Sequence, residues 1–419
     1  MIYKCPDCNA ALEYNPATDK MECVYCGNSF ILAEIEDKQK KTEYVYNQQN
    51  GSLHEVVHEN VQNETSIDTK ESIEDQENDF LANLETMECK IYTCTSCGAE
   101  ITMNESEAAT FCAYCGQPTI VFSRVSKELK PESIVLFRIN KEQAIAGIRE
   151  KLARSSFVPK EIQNFSVEKV RGIYIPYWVF DIHYYDSQHW EYTIDSGNGK
   201  RTKSYEREAE CMFKGLTLDA SKNLNDELSQ RLEPFDVRTR KPFETGYLSG
   251  FYADRYDYKE EQLRNYAYFR AKQFFDAQIK DTIPQPNAKL KLSFPKRVIK
   301  NAEYSLLPAW FITFRYNYET YTIAVNGQNG KVVGTVPFDK TKVRNLFIVI
   351  ASVVALFTTI VMLFLMQGFS SLVYGLIFLL ISLGILSLAF FKFKKIKNAM
   401  TLTRAYETTE YVKERQDRE

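Results

Sequence analysis

The chain has 419 residues, 44% of them hydrophobic, with 52 Lys and Arg against 55 Asp and Glu for a formal net charge of −3. That length supports two or three folded units, and so even a balance gives no global basic field to draw the chain to nucleic acid or anionic lipid. Ten cysteines might suggest a disulfide framework, but eight of them fall into CxxC pairs, which small secreted scaffolds do not favour.

The chain enters its first cysteine pair at once, after Met-Ile-Tyr-Lys, with no charged segment followed by an apolar one, so no cleaved signal peptide is expected. Residues 1–33 hold Cys5-Pro-Asp-Cys8 and Cys23-Val-Tyr-Cys26, with fourteen residues between the pairs. Residues 90–123 repeat the frame as Cys94-Thr-Ser-Cys97 and Cys112-Ala-Tyr-Cys115, again fourteen apart. Two tight knuckles at that spacing face each other across a hairpin and close a tetrahedral four-thiolate site, so Cys5, Cys8, Cys23 and Cys26, then Cys94, Cys97, Cys112 and Cys115, are read as ligands of two structural Zn2+ ions. An iron site of rubredoxin type is the alternative. Gly27, Gly98 and Gly116 follow the second cysteine of three knuckles, and Asn9 follows it in the fourth. There the backbone must take a positive φ to turn its amides toward sulfur. Thiolates persist where thiols stay reduced, which places this end in the cytosol. Cys89 and Cys211 have no neighbouring His in sequence and are read as bystanders.

Between the frames, residues 34–89 are rich in acids and amides and poor in aromatics, and are expected to be a disordered linker. His54-Glu55-Val-Val-His58 inside it matches the HExxH letters of zinc peptidases, but that chemistry needs a buried helix and a third ligand. Solvated linker is the preferred reading. The knuckles themselves carry few cations: Lys4 and Lys20 meet Asp7, Glu13, Asp19 and Glu22 in the first, Lys90 and Arg124 meet Glu100, Glu105 and Glu107 in the second. Phosphate contact needs clustered Lys and Arg, so protein contact is favoured over nucleic acid.

Residues 124–339 read as an α+β cytoplasmic domain. Helices are expected over Asn140–Arg154, Asp219–Leu232 and Tyr258–Ile283, and strands over Ile173–Asp181, Leu306–Arg315 and Tyr318–Val325. Ile175-Pro-Tyr-Trp-Val-Phe, Tyr192-Thr-Ile and Asn198-Gly-Lys200 find an echo in Leu307-Pro-Ala-Trp-Phe-Ile, Tyr321-Thr-Ile and Asn329-Gly-Lys331. Duplication would produce that echo, with Trp178 and Trp310 as equivalent core residues, and so would ordinary hairpin grammar used twice. Asp181, His183, Asp186 and His189 could form an acid–base or metal cluster, but half-exposed strand polars explain them more simply. P-loop, GxSxG and GxGxxG signatures are absent, and no small-molecule substrate is evident, so the chain is not expected to be an enzyme.

Leu346–Met366 and Leu372–Phe391 are uncharged apolar runs, each about the ~20 residues a helix needs to cross a bilayer. Residues 340–397 are therefore expected to form a two-helix transmembrane hairpin, with residues 398–419 as a short tail. Lys340, Lys342 and Arg344 before it, and Lys392, Lys394, Lys395 and Lys397 after it, place both ends in the cytoplasm.

The knuckles, Tyr174-Ile-Pro-Tyr-Trp, Thr245-Gly-Tyr-Leu-Ser-Gly-Phe-Tyr-Ala-Asp-Arg-Tyr256, Leu307-Pro-Ala-Trp and the terminal hairpin together resemble the TFIIB-type zinc-ribbon membrane proteins of Gram-positive bacteria. The resemblance covers most of the chain outside the acidic segment, whose length is a departure. It implies two β zinc ribbons, a cytoplasmic domain and a multi-pass cell-membrane anchor. It also implies an adaptor role beside PspA-like and SPFH-domain proteins of a phage-shock-type envelope-stress system. The helicase activity sometimes attached to the group conflicts with the missing P-loop. A membrane-tethered nucleic-acid-binding or transcription-related protein is the alternative.

Overall fold

The computed structural model describes residues 3–35, 85–102, 120–153, 158–164, 170–196, 199–316, 319–334 and 339–365, and single positions Cys112, Tyr114, Val336, Gly384 and Ser387. Most of the acidic segment with its HExxH match, Cys115, Gly116, the second apolar run apart from Gly384 and Ser387, and the tail 398–419 lie outside the described residues.

Strands β1 (Leu12–Asn15), β2 (Lys20–Cys23) and β3 (Ser29–Phe30) make a small antiparallel sheet. Alternation explains it: Leu12, Tyr14, Met21 and Cys23 are buried on one face, while Glu13 and Lys20 are exposed on the other. Strands β4 (Thr86–Cys94), β5 (Glu100–Thr102) and β6 (Ile120–Leu129) form the second cysteine unit, with β4 between the other two. Strand β4 begins inside the stretch read as linker, and β6 continues to Leu129, so this unit stands on longer strands than the cysteine frame alone suggests.

The remaining elements are β7 (Ser133–Ile134), α1 (Lys141–Ala153), α2 (Lys160–Gln163), β8 (Arg171–Ser196), β9 (Gly199–Asp219), α3 (Asp226–Leu232), β10 (Lys241–Pro242), β11 (Tyr252–Asp254), α4 (Glu260–Asp281), β12 (Lys289–Ser293), β13 (Lys296–Tyr316), β14 (Glu319–Asn326), β15 (Val332–Gly334) and α5 (Lys340–Leu365). One 12-stranded sheet runs through β4–β15, so the expected α+β domain is mostly β. Its spine is the antiparallel pair β8–β13, flanked by the long β8–β9 hairpin and the β13–β14 hairpin.

An approximate two-fold relates the two halves about the point where Ile175 faces Leu307. Short strands flank it in the same way: β11 runs parallel to β8 with Ala253 opposite Tyr174, and β7 runs parallel to β13 with Ile134 opposite Leu306. Pro176 O accepts from Ala220 N, and Pro308 O accepts from Gly327 N, each at 2.9 Å. Ala220 O then accepts from the amides of Asp257 and Tyr258, and Gly327 O from those of Arg138 and Ile139. Trp178 Nε1 donates to Tyr258 O at 3.0 Å, and Trp310 Nε1 to Ile139 O at 2.8 Å. Each of those carbonyls lies two residues before a helix, and both helices open with a Gln side chain accepting from the N-cap amide: Gln143 from Asn140 N, Gln262 from Lys259 N.

The sequence echo is therefore structural in its first part only. Tyr192-Thr-Ile is the far end of β8, and the counterpart of the return strand β14 is the end of β9. The helix expected over Asp219–Leu232 is confined to Asp226–Leu232. Asp219 still pairs with Tyr177 across β8–β9, and Asn225 caps the helix by accepting from Glu227 N and Leu228 N.

Helix α5 spans 26 residues, or about 39 Å at ~1.5 Å per residue. It is long and apolar enough to cross a membrane, and Val353, Leu356, Phe357 and Leu363 are exposed among the described residues. Ser352 donates to Ile348 O, while Thr358 and Thr359 donate to Ala355 O, so the helix satisfies these hydroxyls itself.

Candidate metal centres

In the first unit, each knuckle closes on itself by the same pair of bonds. Asn9 N donates to Cys5 O and Cys5 N to Ala10 O; Gly27 N donates to Cys23 O and Cys23 N to Asn28 O. The second unit repeats this with Gly98 N to Cys94 O and Cys94 N to Ala99 O. The turn requires a left-handed residue after the second cysteine, and φ is +63° at Asn9, +76° at Gly27 and +75° at Gly98.

These turns bring Cys5, Cys8, Cys23 and Cys26 together, with every Sγ within 4.8 Å of every other. Cys5 and Cys26 are 3.6 Å apart and Cys8 and Cys23 are 3.4 Å apart. Disulfide sulfurs stand about 2.05 Å apart, and sulfurs at the corners of a tetrahedron around Zn2+ stand about 3.8 Å apart for ~2.3 Å bonds. The donor set therefore fits a tetrahedral metal ion. Cys94, Cys97 and Cys112 form a matching triad, with Cys97 and Cys112 3.8 Å apart, and the fourth thiol of the frame, Cys115, lies outside the described residues.

Electrostatics at the first cluster favour a cation. The Cys26 amide donates to Cys23 Sγ at 3.4 Å. That bond, with the Tyr25 amide and neighbouring thiols, lowers the Cys23 pKa to about 6. At Cys8 the Ala10 amide pulls the pKa down, but desolvation and three crowded thiols outweigh it and push the value up to about 12. Four sulfurs this close cannot all ionise unless a positive ion sits among them. Cys89 is raised to about 11 by desolvation, and Cys211 is raised by the same cause, so neither is an activated thiol.

Neither cysteine unit stands apart from the central sheet, because both rest on one strip, Thr245–Arg255. Tyr3 and Thr245 share a hydroxyl–hydroxyl bond of 3.1 Å. Tyr14 N donates to Ser249 O, Ser249 Oγ donates to Leu12 O, and the Tyr14 and Tyr247 rings meet edge to face at 5.6 Å. Asp19 accepts from Tyr14 OH and pairs with Lys241 at 2.9 Å. Desolvation opposes ionisation of Asp19, yet these two donors hold its carboxyl below the usual range. At the other end of the strip, β11 pairs antiparallel with β5, Ala253 opposite Thr102 and Asp254 opposite Ile101. Thr102 Oγ1 donates to Ala253 O, Tyr114 OH to Asp254 Oδ2, and Arg255 to Glu100. Burial pushes the Asp254 carboxyl up to about 7, against donations from Ser221 and Tyr114 that lower it. The sequence marks this strip as distinctive but not as a seat for both knuckle units; its Gly, Ser and aromatic content is the signal that could have shown it.

The other polar candidates serve the framework. Asp181 accepts from Gly215 N, at a glycine with φ +70° beside a register shift in β8–β9. Asp186 is fully buried and accepts from Phe294 N, Ser293 and Gln188. His183 pairs with Glu210, and His189 lies near Glu191 and Glu206, all on the open face of the hairpin.

Among curated proteins the chain is similar to the uncharacterized protein YdjG of Bacillus subtilis (strain 168), 29% identical over 269 residues that cover 60% of this chain and 76% of that one. The likeness supports a YdjG-like grouping. No family model matches the chain, and no solved structure matches it.

Proposed function

We propose that the protein is a membrane-anchored cytoplasmic adaptor, in which two zinc ribbons and the duplicated β domain form one rigid platform for partner proteins. The observation that carries this reading is the shared seat: both cysteine units are built onto Thr245–Arg255 instead of standing apart as mobile heads. Zn2+ closed by four thiolates keeps no position open for substrate, so its role is to hold shape. The first ribbon presents Val24 at 76% and Tyr25 at 84% exposure on its second knuckle, an apolar tip suited to protein contact. Arg124, a cation of the second unit, is already held by both oxygens of Glu100, which weakens the nucleic-acid reading.

The anchor is α5 together with the second apolar run as a hairpin, with both ends cytoplasmic by the flanking lysines and arginine. Its partners are the bilayer and, from the family resemblance, PspA-like or SPFH-domain proteins. The test is co-purification of those proteins with the chain from solubilised membranes, comparing wild type with Val24→Asp/Tyr25→Ala. The reading expects at least a fivefold loss of recovery with both metal ions retained. Equal recovery would remove the knuckle tip from the contact.

A further inference from the structure

The strip Thr245–Arg255 touches both cysteine units and the core at once. Toward the first unit, Leu32 fills the space over Gly246 so closely that a Cβ there would lie 2.2 Å from Leu32 Cδ1. Gly250, at φ +85°, brings the strip against the Glu13 side chain. In the middle, Phe251 stacks on Phe137 at 4.3 Å and lies over Gly172, where no side chain would fit. Toward the second unit, Tyr252–Asp254 is a three-residue strand held between β8 on one side and β5 on the other. Thr102 and Ile101, its partners on β5, follow Cys97 closely in the chain, and Tyr114 lies between Cys112 and Cys115.

A strand so short has little stability of its own, so its position depends on the surfaces that clamp it. One of those surfaces is β8 of the central sheet and the other is β5 of the second knuckle unit, while the first knuckle unit holds the segment just before the strand, Thr245–Gly250. Each knuckle unit is too small to hold its shape without metal. We propose that Thr245–Arg255 couples the two metal sites, so that an ion in the first unit raises retention of the ion in the second, and the reverse. Metal in the first unit fixes Leu12, Tyr14 and Leu32, which fix Gly246–Gly250; that places Ala253 and Asp254 for β5, which frames the Cys94–Cys97 knuckle. Thermodynamic linkage makes the effect on affinity reciprocal, though the two release rates need not change by the same factor. The coupling rests on the two units holding metal and not on the adaptor reading, so either can fail without the other.

The test uses the full chain in detergent micelles, loaded with Zn2+, with release to a chromogenic chelator followed over time. Cys23→Ser/Cys26→Ser empties the first site. Coupling predicts that the remaining ion leaves about tenfold faster than the same site's ion leaves the wild type, within the usual range for linked sites. The two wild-type phases are assigned by which cysteines become open to alkylation as each ion departs. Amide exchange at Tyr252–Arg255 should quicken, while Ala309–Val325 in the β13–β14 hairpin stays protected. Gly246→Ala with Ser249→Ala, which keeps every cysteine, forces Leu32 off its place over the strip and removes the bond from Ser249 to Leu12 O. In that background emptying the first site should change release from the second by less than twofold. Release from the second site within twofold of that site's release in the wild type, in the Cys23→Ser/Cys26→Ser chain, overturns the proposal. Faster release accompanied by lost protection throughout β13–β14 overturns it too, because that would be general unfolding.

Discussion

Trp178 and Trp310 make the same bond on opposite sides of the two-fold: each indole donates to a carbonyl two residues before a helix, Tyr258 ahead of α4 and Ile139 ahead of α1. Both rings are nearly buried, so the donors have no water to fall back on. The bond ties each half's helix to the other half's long strand. Trp178→Phe and Trp310→Phe should therefore each lower stability by ~1–3 kcal/mol, the cost of a buried carbonyl left without its donor plus some lost packing. Thermal unfolding of the two variants side by side checks this; a large loss for one and none for the other would mean the halves are not mechanically equivalent.

Asp181 and His183 separate a framework carboxylate from a partly exposed strand imidazole. Asp181 accepts from Gly215 N at 2.8 Å and holds the irregularity in β8–β9. Asp181→Ala should destabilise by ~1–2 kcal/mol through the orphaned amide, whereas His183→Ala, on a partly exposed face, should stay within ~0.5 kcal/mol. Chemical denaturation of both reads the difference. Equal small effects would contradict the framework role of Asp181.

Asp254 supplies a pH dependence of defined sign. Burial raises its folded pKa to about 7, above its unfolded value near 3.8. A carboxyl raised on folding contributes stability that is complete below the unfolded pKa and is lost as pH rises through the folded one. Asp254→Asn keeps an acceptor for Tyr114 and removes the titration. Relative to wild type, the variant should gain ~1–3 kcal/mol between pH 5 and pH 8, with the change flattening above pH 8. Melting curves of both proteins across that window test it, and a constant difference would show that Asp254 is already ionised in the fold.

The proposed membrane hairpin has its own test. An impermeant maleimide applied to intact cells should label a cysteine placed at Ser370 and should spare one placed at Thr408. Labelling at Thr408 would show that the chain crosses once, through α5 alone.

What could be read from the chain follows the range of the forces involved. Asn9, Gly27 and Gly98 at positive φ, the Asn140 helix start and the paired cysteines were legible because each is set by neighbours a few residues away. The β8–β13 pairing also left a trace, since Ile175-Pro176 and Leu307-Pro308 occupy matching places about the two-fold. Of the return strands, β14 was legible over Tyr318–Val325, but its counterpart at the end of β9 was not. Tyr192-Thr-Ile looks like Tyr321-Thr-Ile, yet β8 runs through it because β9, far longer than β14, continues to pair beyond Tyr185. The seat on Thr245–Arg255 was hidden for a related reason: its bonds join residues over a hundred positions apart, such as Ser249 with Leu12 and Thr102 with Ala253. No local pattern encodes such pairs.

The proposed reading stands first on two four-cysteine frames that hold metal and, through it, the shape of the units seated on Thr245–Arg255. Native mass spectrometry of the full chain purified in detergent, with thiol alkylation before and after chelation, tests it most directly. The account predicts two Zn2+ ions per chain and eight CxxC thiols that resist alkylation until the metal is stripped. A chain carrying one ion or none, with those thiols alkylated at once, would contradict it.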